Sequence, residues 1–440
     1  MNSPRRGACP GILQPMATGD GLLARLLPSA PLSVAALLAL CEASQLHGNG
    51  IVEVTQRGSL QFRGLSRDSA LPFARDVIAL GLHAENGPPI LTSPLMGLAP
   101  DELQDLRELL TVVSEALTAP LAAAPLGPKV SVLIDAGGGM HLDDVPGDLR
   151  LRAGRDARLH VSIAGKASSA TSLGWTSRAD AVTVIVRVLA AIASRGLDAR
   201  ARDFANSADL QGLRACLADV ISDGPPPGGR PAAQPVGNHR LNTGRVALGI
   251  ALSFGYTEAR FLKHLAQVAA GLGATSIETS AARSLLFIGL SADAARELAA
   301  AADAAGFIVR PDDPRRSVVA CAGAPACSSA KISTRELAPA IAEAARPLLD
   351  GSVIIHVSGC AKGCAHPAAA ALTYVGPGGY AVQGRAADPL DGTVPASHFI
   401  AGLPRLAAQR RQLQGARESS ASILSRLGAA GVLAIMSAGT

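Results

Sequence analysis

Apolar positions along the chain switch between a period of two and a helical period, and the switching occurs twice in the same order. Residues 21–27 and 246–253 read as short strands, followed by apolar residues at helical spacing near 33–45 and 257–270. Each helix stops at a glycine-bearing turn. A further strand ends in a Ser-Leu-x-Phe-x-Gly-Leu turn and leads into a second helix, over 69–79 in one case and 292–304 in the other. Strand, helix, strand, helix within about 65 residues is half a ferredoxin-like unit. Residues 53–65 (EVTQRGSLQFRGL) match 278–290 (ETSAARSLLFIGL) at six of thirteen positions with an offset of 225. The same offset carries Thr18-Gly19 onto Thr243-Gly244 and Gly48 onto Gly273. A repeat this long marks a duplicated domain.

A longer α/β segment follows each half. An amphipathic helix over 101–117 precedes an apolar strand at 130–134, and a helix over 335–348 precedes one at 353–357. The Pro/Gly-rich residues 223–237 read as a surface linker between the copies. The expected class is α+β, with duplicated ferredoxin-like half-domains and two larger α/β domains about a pseudo-twofold axis. The expected boundaries are 10–85 for the first half repeat, 90–220 for the first α/β domain, and 221–238 for the linker. The second half repeat takes 239–308, the second α/β domain 309–400, and a C-terminal helical tail 401–440.

Composition narrows the function. Hydrophobic residues at 48% and charged residues at 17% describe a well-buried globular chain. Aromatic residues at 3% and dispersed basic residues argue against a nucleic-acid partner. Scattered arginines suit a polyanionic small molecule instead. No apolar run reaches membrane-spanning length uninterrupted; the richest, residues 22–40, is broken by Arg25, Pro28 and Pro31. The expected location is cytoplasmic, with no membrane partner. Seven cysteines, four of them in two close pairs, then point to metal before disulfide.

Those pairs are Cys321-x5-Cys327 and Cys360-x3-Cys364. Four thiolates can hold a [4Fe–4S] cube, and the second pair lies in a glycine-rich turn directly after a strand. Structural zinc and buried thiols are the alternatives, although x5 is an unusual zinc spacing. Cys9, Cys41 and Cys216 have no partner spacing, and Cys41 reads as a core residue. Where the second copy has Ser-Gly-Cys-Ala-Lys-Gly-Cys at 358–364, the first has Asp-Ala-Gly-Gly-Gly-Met at 135–140. A symmetric scaffold with one active centre is expected.

Around that centre, Arg57, Ser59, Gln61 and Arg63 fall on alternate residues and are expected on one strand face, suited to carboxylate arms. A solvated strand face is the plainer reading. Lys129, Lys331 and Lys362, three of only five lysines, lie close in sequence to the expected cavity. His356 and His366 flank the second cysteine pair and His141 occupies the matching region of the first copy, but the nine histidines show no facial-triad spacing. His356, mid-strand, reads as a satisfied core residue.

C-x5-C and C-x3-C after a duplicated ferredoxin-like half resemble the sulfite/nitrite reductase superfamily over nearly the whole chain. Residues 55–61 (TQRGSLQ) look like its cavity-lining strand, 93–98 (SPLMGL) like its S-P-L-x-G turn, and 126–129 (LGPK) like its lysine-bearing strand entry. The two α/β domains are then sulfite/nitrite-reductase-type domains, and Cys321, Cys327, Cys360 and Cys364 bind the [4Fe–4S] cluster, with the last bridging to sirohaem iron in the reductases. The resemblance also implies substrate contacts at Arg57, Gln61, Arg63 and Lys129.

Within the superfamily, A-C-P-G at 8–11, TGDGLLARL at 18–26 and the compact length are similar to the precorrin-3B synthases. That resemblance implies an O2-dependent monooxygenase of aerobic cobalamin biosynthesis, which hydroxylates precorrin-3A at C20 and forms a γ-lactone. It implies a mononuclear non-haem iron in place of sirohaem. A sirohaem-dependent sulfite or nitrite reductase is the alternative, and a non-catalytic iron–sulfur carrier a third reading. Pro88 stands about where the superfamily commonly has an anion-binding arginine, which weakens the reductase reading. No G-x-G-x-x-G follows a strand, so NADH-derived electrons are expected through a donor protein.

Overall fold

The computed structural model describes residues 10–82, 87–118, 126–204, 207–413 and 418–437. Ala8 and Cys9, which belong to a segment singled out above, lie outside the described residues.

The first half-unit comprises β1 (Met16–Thr18), β2 (Gly21–Leu26), α1 (Val34–His47), β3 (Ile51–Val54), β4 (Leu60–Leu65) and α2 (Ala70–Ala79). The first α/β unit contains β5 (Ile90–Thr92), α3 (Arg107–Thr118), β6 (Val132–Asp135), β7 (Gly147–Ala153), β8 (Leu159–Gly165), β9 (Thr171–Thr176), α4 (Ala181–Ala193) and α5 (Ser207–Ala215). The second half-unit runs through β10 (Gly237–Arg240), β11 (Val246–Ala251), β12 (Tyr256–Glu258), α6 (Ala259–Gly271), β13 (Ser276–Ser280), β14 (Ser284–Leu290) and α7 (Ala292–Ala304). The second α/β unit has β15 (Val318–Ala320), α8 (Thr334–Ala345), β16 (Ile355–Ser358), β17 (Ala370–Val375), β18 (Gly379–Gly384), β19 (Gly392–Thr393), α9 (Ala396–Leu413) and α10 (Ser420–Ser437).

The topology is duplicated strand by strand. β1-β2-β4-β3 in one half-unit corresponds to β10-β11-β14-β13 in the other, and both ladders are antiparallel. The α/β sheets are ordered β5-β6-β7-β8-β9 and β15-β16-β17-β18-β19, each with two parallel links followed by two antiparallel ones.

The half-units share one core. Leu37 and Phe62 from the first pack in the same cluster as Leu262, Phe287 and Leu298 from the second. Burying a side chain of this size contributes about 1.5–3 kcal/mol, so neither half keeps its core alone. β12 joins the first half-unit's sheet, with Tyr256 opposite Glu53, and Leu32 and Ile277 exchange backbone hydrogen bonds of 2.8 and 2.7 Å. Serine hydroxyls start two of the helices: Ser33 accepts the Ala36 N–H and Ser291 the Ala294 N–H. Cys41 is 1% exposed in this core, and burial pushes its thiol up to about 12.

Three sequence expectations change. The S-L-x-F-x-G-L segment is itself strand β4, not a turn, because residues 55–58 close a hairpin through the Gly58 N–H to Thr55 carbonyl bond of 3.0 Å. Arg57 therefore lies in that turn and does not share a strand face with Gln61 and Arg63. The helix expected over 101–117 begins at Arg107. Leu103 and Gln104 donate their N–H groups to the Ala136 carbonyl, at 3.0 and 3.3 Å, and the Asp105 carboxylate takes the Arg107 N–H. The linker is a strap and not a free surface loop, as described below. α10 has the length and composition of a membrane-crossing helix only with Arg426 inside it and a break in the helical backbone at Gly428, so it leaves the reading of the apolar runs unchanged. It packs on α9, where a Cβ on Gly402 would lie 2.9 Å from the Met436 side chain.

Glu278 on β13 faces away from the shared core with only partial solvent contact, and burial pushes its carboxyl up to about 8. Stability is then complete below the unfolded value of about 4.5 and is lost as pH rises towards about 8. Glu278→Gln is expected to match the parent at pH 4.5 and to exceed it at pH 8.5 by on the order of 2 kcal/mol in denaturant unfolding. Equal pH dependence in the two proteins would remove this account.

Candidate functional site

The cysteines occupy two loops that leave neighbouring strands. β15 ends one residue before Cys321, whose N–H donates to the Val357 carbonyl at 3.2 Å. β16 ends at Ser358, and the next N–H, that of Gly359, donates to Cys321 Sγ at 3.1 Å. Gly359 is required by close approach, since a Cβ there would lie 2.6 Å from that of Ala330. Its carbonyl takes the Lys331 N–H at 2.8 Å, and the Thr334 hydroxyl donates to the Cys321 carbonyl at 2.6 Å. The Cys327 N–H closes its own turn on the Gly323 carbonyl at 2.7 Å.

Cys364 is in electrostatic reach of the other three cysteines. Burial raises the Cys364 thiol, and the charges of Cys360, Cys321 and Cys327 raise it further. Among the described residues, however, no three His, Cys, Asp or Glu side chains lie close enough to hold a single metal ion. Thiolates that converge loosely suit a cube with one iron per cysteine and do not suit one zinc.

The duplicated half places oxygen where this half places sulfur. Ser93 follows β5 as Cys321 follows β15, and its hydroxyl accepts the Ala136 N–H at 3.2 Å just as Cys321 Sγ accepts that of Gly359. Beyond Asp135, the region matching the second cysteine turn is filled by Arg230 of the linker. Its guanidinium meets Asp135 at 2.6 and 3.1 Å, Asp143 at 3.0 Å and the Gly138 carbonyl at 3.3 Å. His141 Nε2 donates to the Pro231 carbonyl at 2.7 Å, and Trp175 Nε1 to that of Pro225 at 3.0 Å.

Two hairpin turns, one from each half-unit, meet beside the cysteines. The Ala282 N–H donates to the Gln56 carbonyl at 3.2 Å. Arg283 donates to Gln56 Oε1 at 3.1 Å and reaches the carbonyl of Ala365, next to Cys364, at 3.5 Å. Ala282 and Arg283 have φ of 59° and 61°, a left-handed backbone that costs energy without glycine and recurs where a site over-determines it. Arg57 donates to Ser131 Oγ at 2.8 Å and lines a cavity of about 130 Å³ with Gln56, Met140, His141, Asp144 and Ala282. Lys166 lies 3.4 Å from Asp144, one of the residues lining that cavity. Burial holds His366 below its ordinary range, and the charges of Arg283 and Lys166 lower it further. A larger cavity of about 390 Å³, between Tyr256, Phe261 and Arg346, is lined by none of the cysteines.

The residues expected from sequence divide accordingly. Arg57 faces the cleft, and Lys129 is exposed in the turn two residues before Ser131. Lys362 donates to Ser329 Oγ at 2.8 Å, and the Lys331 side chain is exposed. Gln61 is 8% exposed on β4, in register with Glu53 and Arg25. Arg63 does not meet the expectation of substrate contact: its side chain is 4% exposed and engaged by Asp20, Glu53 and the Ala326 carbonyl. His356 is core but not satisfied. It is fully buried, its ring lies 5.7 Å from that of His366, and among the described residues neither ring nitrogen has a hydrogen-bond partner. Sequence reading missed Arg283, Lys166 and Arg230. The offset of 225 places Arg283 on Gly58, inside the turn that carries Arg57, which was the available signal.

A precorrin-3B synthase of Sinorhizobium sp is 37% identical over 444 residues, covering 99% of this chain and 96% of that protein. The chain belongs to the precorrin-3B synthase family. The family's wider relatives are oxidoreductases, and this chain shares their class. A ferredoxin–nitrite reductase of Synechococcus elongatus is 26% identical over 83% of the chain and 78% of its own length. A ferredoxin sulfite reductase of Mycobacterium tuberculosis is 27% identical over 34% of the chain and 28% of its own length. The solved structure of Mycobacterium tuberculosis NirA superposes with a TM-score of 0.75 at 19% identity, covering 93% of this chain and 84% of that one. The α+β sulfite/nitrite-reductase fold is thereby shown. No protein-family model matches the chain.

Proposed function

We propose that the chain acts as a precorrin-3B synthase, hydroxylating precorrin-3A at C20 and closing a γ-lactone from a ring A acetate. The observation that carries this reading is 37% identity spanning 99% of the chain and 96% of the synthase. The reaction balances as substrate, O2, two electrons and two protons giving hydroxylated lactone and water. The partners are the tetrapyrrole, O2 and an electron-donor protein or NADH-linked reductase.

The donor set supports a [4Fe–4S] cluster on Cys321, Cys327, Cys360 and Cys364, which when bound supplies electrons one at a time. A mononuclear non-haem iron does not fit in the same way. No three described His, Cys, Asp or Glu side chains converge on one point, and Arg283 sets a cation near the His356–His366 pair. Arg57 and Lys129 on one wall, with Lys166 and Arg283, are the groups suited to the substrate's carboxylates.

A sirohaem-dependent reductase is the second reading, supported by the nitrite reductase's 83% coverage. Pro88, which is buried, offers no cation at the position expected for an anion-binding arginine. The deciding experiment is anaerobic purification, acid–acetone extraction, iron counting and incubation with precorrin-3A under O2. The synthase reading expects no extractable haem, about four irons from one cube, and conversion of precorrin-3A with uptake of one O2. One sirohaem per chain without conversion would overturn it.

A further inference from the structure

We propose that Arg63, together with Asp20 and Glu53, is a positioning residue for the four-cysteine centre. The network is built into the first half-unit, fixes the loop of Cys327 and sets how readily the bound cluster accepts an electron. The proposal rests on the cluster assignment above.

The geometry is a clamp on one carbonyl. Arg63 donates to Asp20 through Nε at 3.0 Å and Nη2 at 2.9 Å, and its Nη1 lies 3.5 Å from Glu53. The same Nη2 donates to the carbonyl of Ala326, the residue before Cys327. Gly19 donates its N–H to that carbonyl at 3.2 Å, and a Cβ on Gly19 would lie 2.1 Å from the Pro325 carbonyl oxygen. Arg335, on the first turn of α8, pairs with Glu53 from the other side and stacks 4.2 Å above Tyr256. Arg63 is close enough to Cys327 for a thiolate charge there to act on it.

The duplication supplies an internal control. At the offset of 225, Glu53 has its counterpart in Glu278, but Arg63 becomes Ile288 and Asp20 becomes Arg245. On that sheet, Ile288 and Leu286 pack against Leu95 and Met140 of the cysteine-free unit. The counterpart of Gly19, Gly244, has open space around it. Among the described residues, the same sheet face thus docks on an α/β unit without an ion network. Docking alone does not require Arg63, and among the described residues the network stands where the sheet meets a cysteine loop.

Reduction makes a cluster more negative, so a fixed cation beside it favours the reduced form and a fixed anion opposes it. Arg63 and Arg335 balance Asp20 and Glu53, leaving the assembly near neutral. Removing either sign shifts the balance in a known direction.

The test is an EPR-monitored redox titration of the anaerobically purified holoenzyme, with iron counted in each preparation. Arg63→Gln is expected to lower the cluster's midpoint potential, and Asp20→Asn to raise it, at parental iron content. Arg63→Lys, which keeps the charge but not the fork, is expected to fall between Arg63→Gln and the parent. If Arg63→Gln fails to retain iron, an upward shift in Asp20→Asn still supports the proposal. Unshifted potentials in fully loaded Arg63→Gln and Asp20→Asn would overturn it and leave the cluster assignment intact. A parent protein with no cluster signal would overturn both, and that failure is visible before any variant is made.

Discussion

Cys360→Ala is expected to yield a folded chain that retains no cluster, loses its visible absorption and turns over precorrin-3A at least about 100-fold more slowly. Changes merely behind a metal ligand commonly cost 10–100-fold, and loss of the ligand itself exceeds that. The fold should survive because the shared core of the half-units and the core of the first α/β unit lie on other elements. The turn at 359–364 is held from below by hydrogen bonds, including that of the Gly359 N–H to Cys321 Sγ and that of the Ser358 hydroxyl to the Cys360 carbonyl at 2.7 Å. Circular dichroism should therefore match the parent while iron content falls. Cys216→Ser, at an exposed position on the first α/β unit, serves as the control and should keep both iron and activity. Full iron retention in Cys360→Ala would remove the four-cysteine assignment.

The largest effect on stability is expected at Arg230. Asp135 is fully buried and Asp143 largely so, and both carboxylates meet this one guanidinium. Burial raises the Asp143 carboxyl, but its hydrogen bonds and charge contact with Arg230 outweigh that and hold it below the ordinary range. Arg230→Ala strands two buried anions, and breaking a buried pair from one side typically costs 3–5 kcal/mol. Arg150 remains close by, bonded to the Leu142 and Val145 carbonyls, and moderates the loss, so about 3 kcal/mol is expected. Asp135→Asn in the Arg230→Ala background should restore part of it, giving a positive coupling in a double-mutant cycle read by denaturant unfolding. Iron content should be unchanged, which separates this effect from that of Cys360. A loss below about 1 kcal/mol would mean that the strap is not what holds the first copy's turn.

The repeat and the cysteines were legible in the sequence because both are local in register. One constant offset aligns β2 with β11, β4 with β14 and α1 with α6, since each pair kept its length to within one residue as well as its pattern. The cysteine spacing needs no tertiary knowledge. The surroundings of Arg63 and the role of the linker are not legible for the opposite reason. Alternation along a strand says which residues share a face but not what covers it, and Arg63 faces the neighbouring unit's loop. A Pro/Gly-rich segment reads as a tether because it makes no regular structure, yet Arg230 supplies two side-chain pairs that periodicity cannot register. The start of α3 was placed six residues early because the apolar period continues through 101–106, where tertiary hydrogen bonds from Leu103 and Gln104 break the helix. Arg283 is legible only when the turns of the repeat are compared, where the offset of 225 sets it on Gly58.

The strap bears on how a duplicated chain avoids confusing its own halves. A ribosome releases the first copy complete, and residues 223–236 are the next to emerge, before any strand of the second copy exists. Arg230 can therefore fasten the first α/β sheet's turns while its look-alike is still unmade. Repeated domains are prone to exchange equivalent strands during synthesis. Here the first large sheet is sealed by a peptide that arrives on time and without a metal, so the later sheet meets a finished neighbour and not a template with open loops.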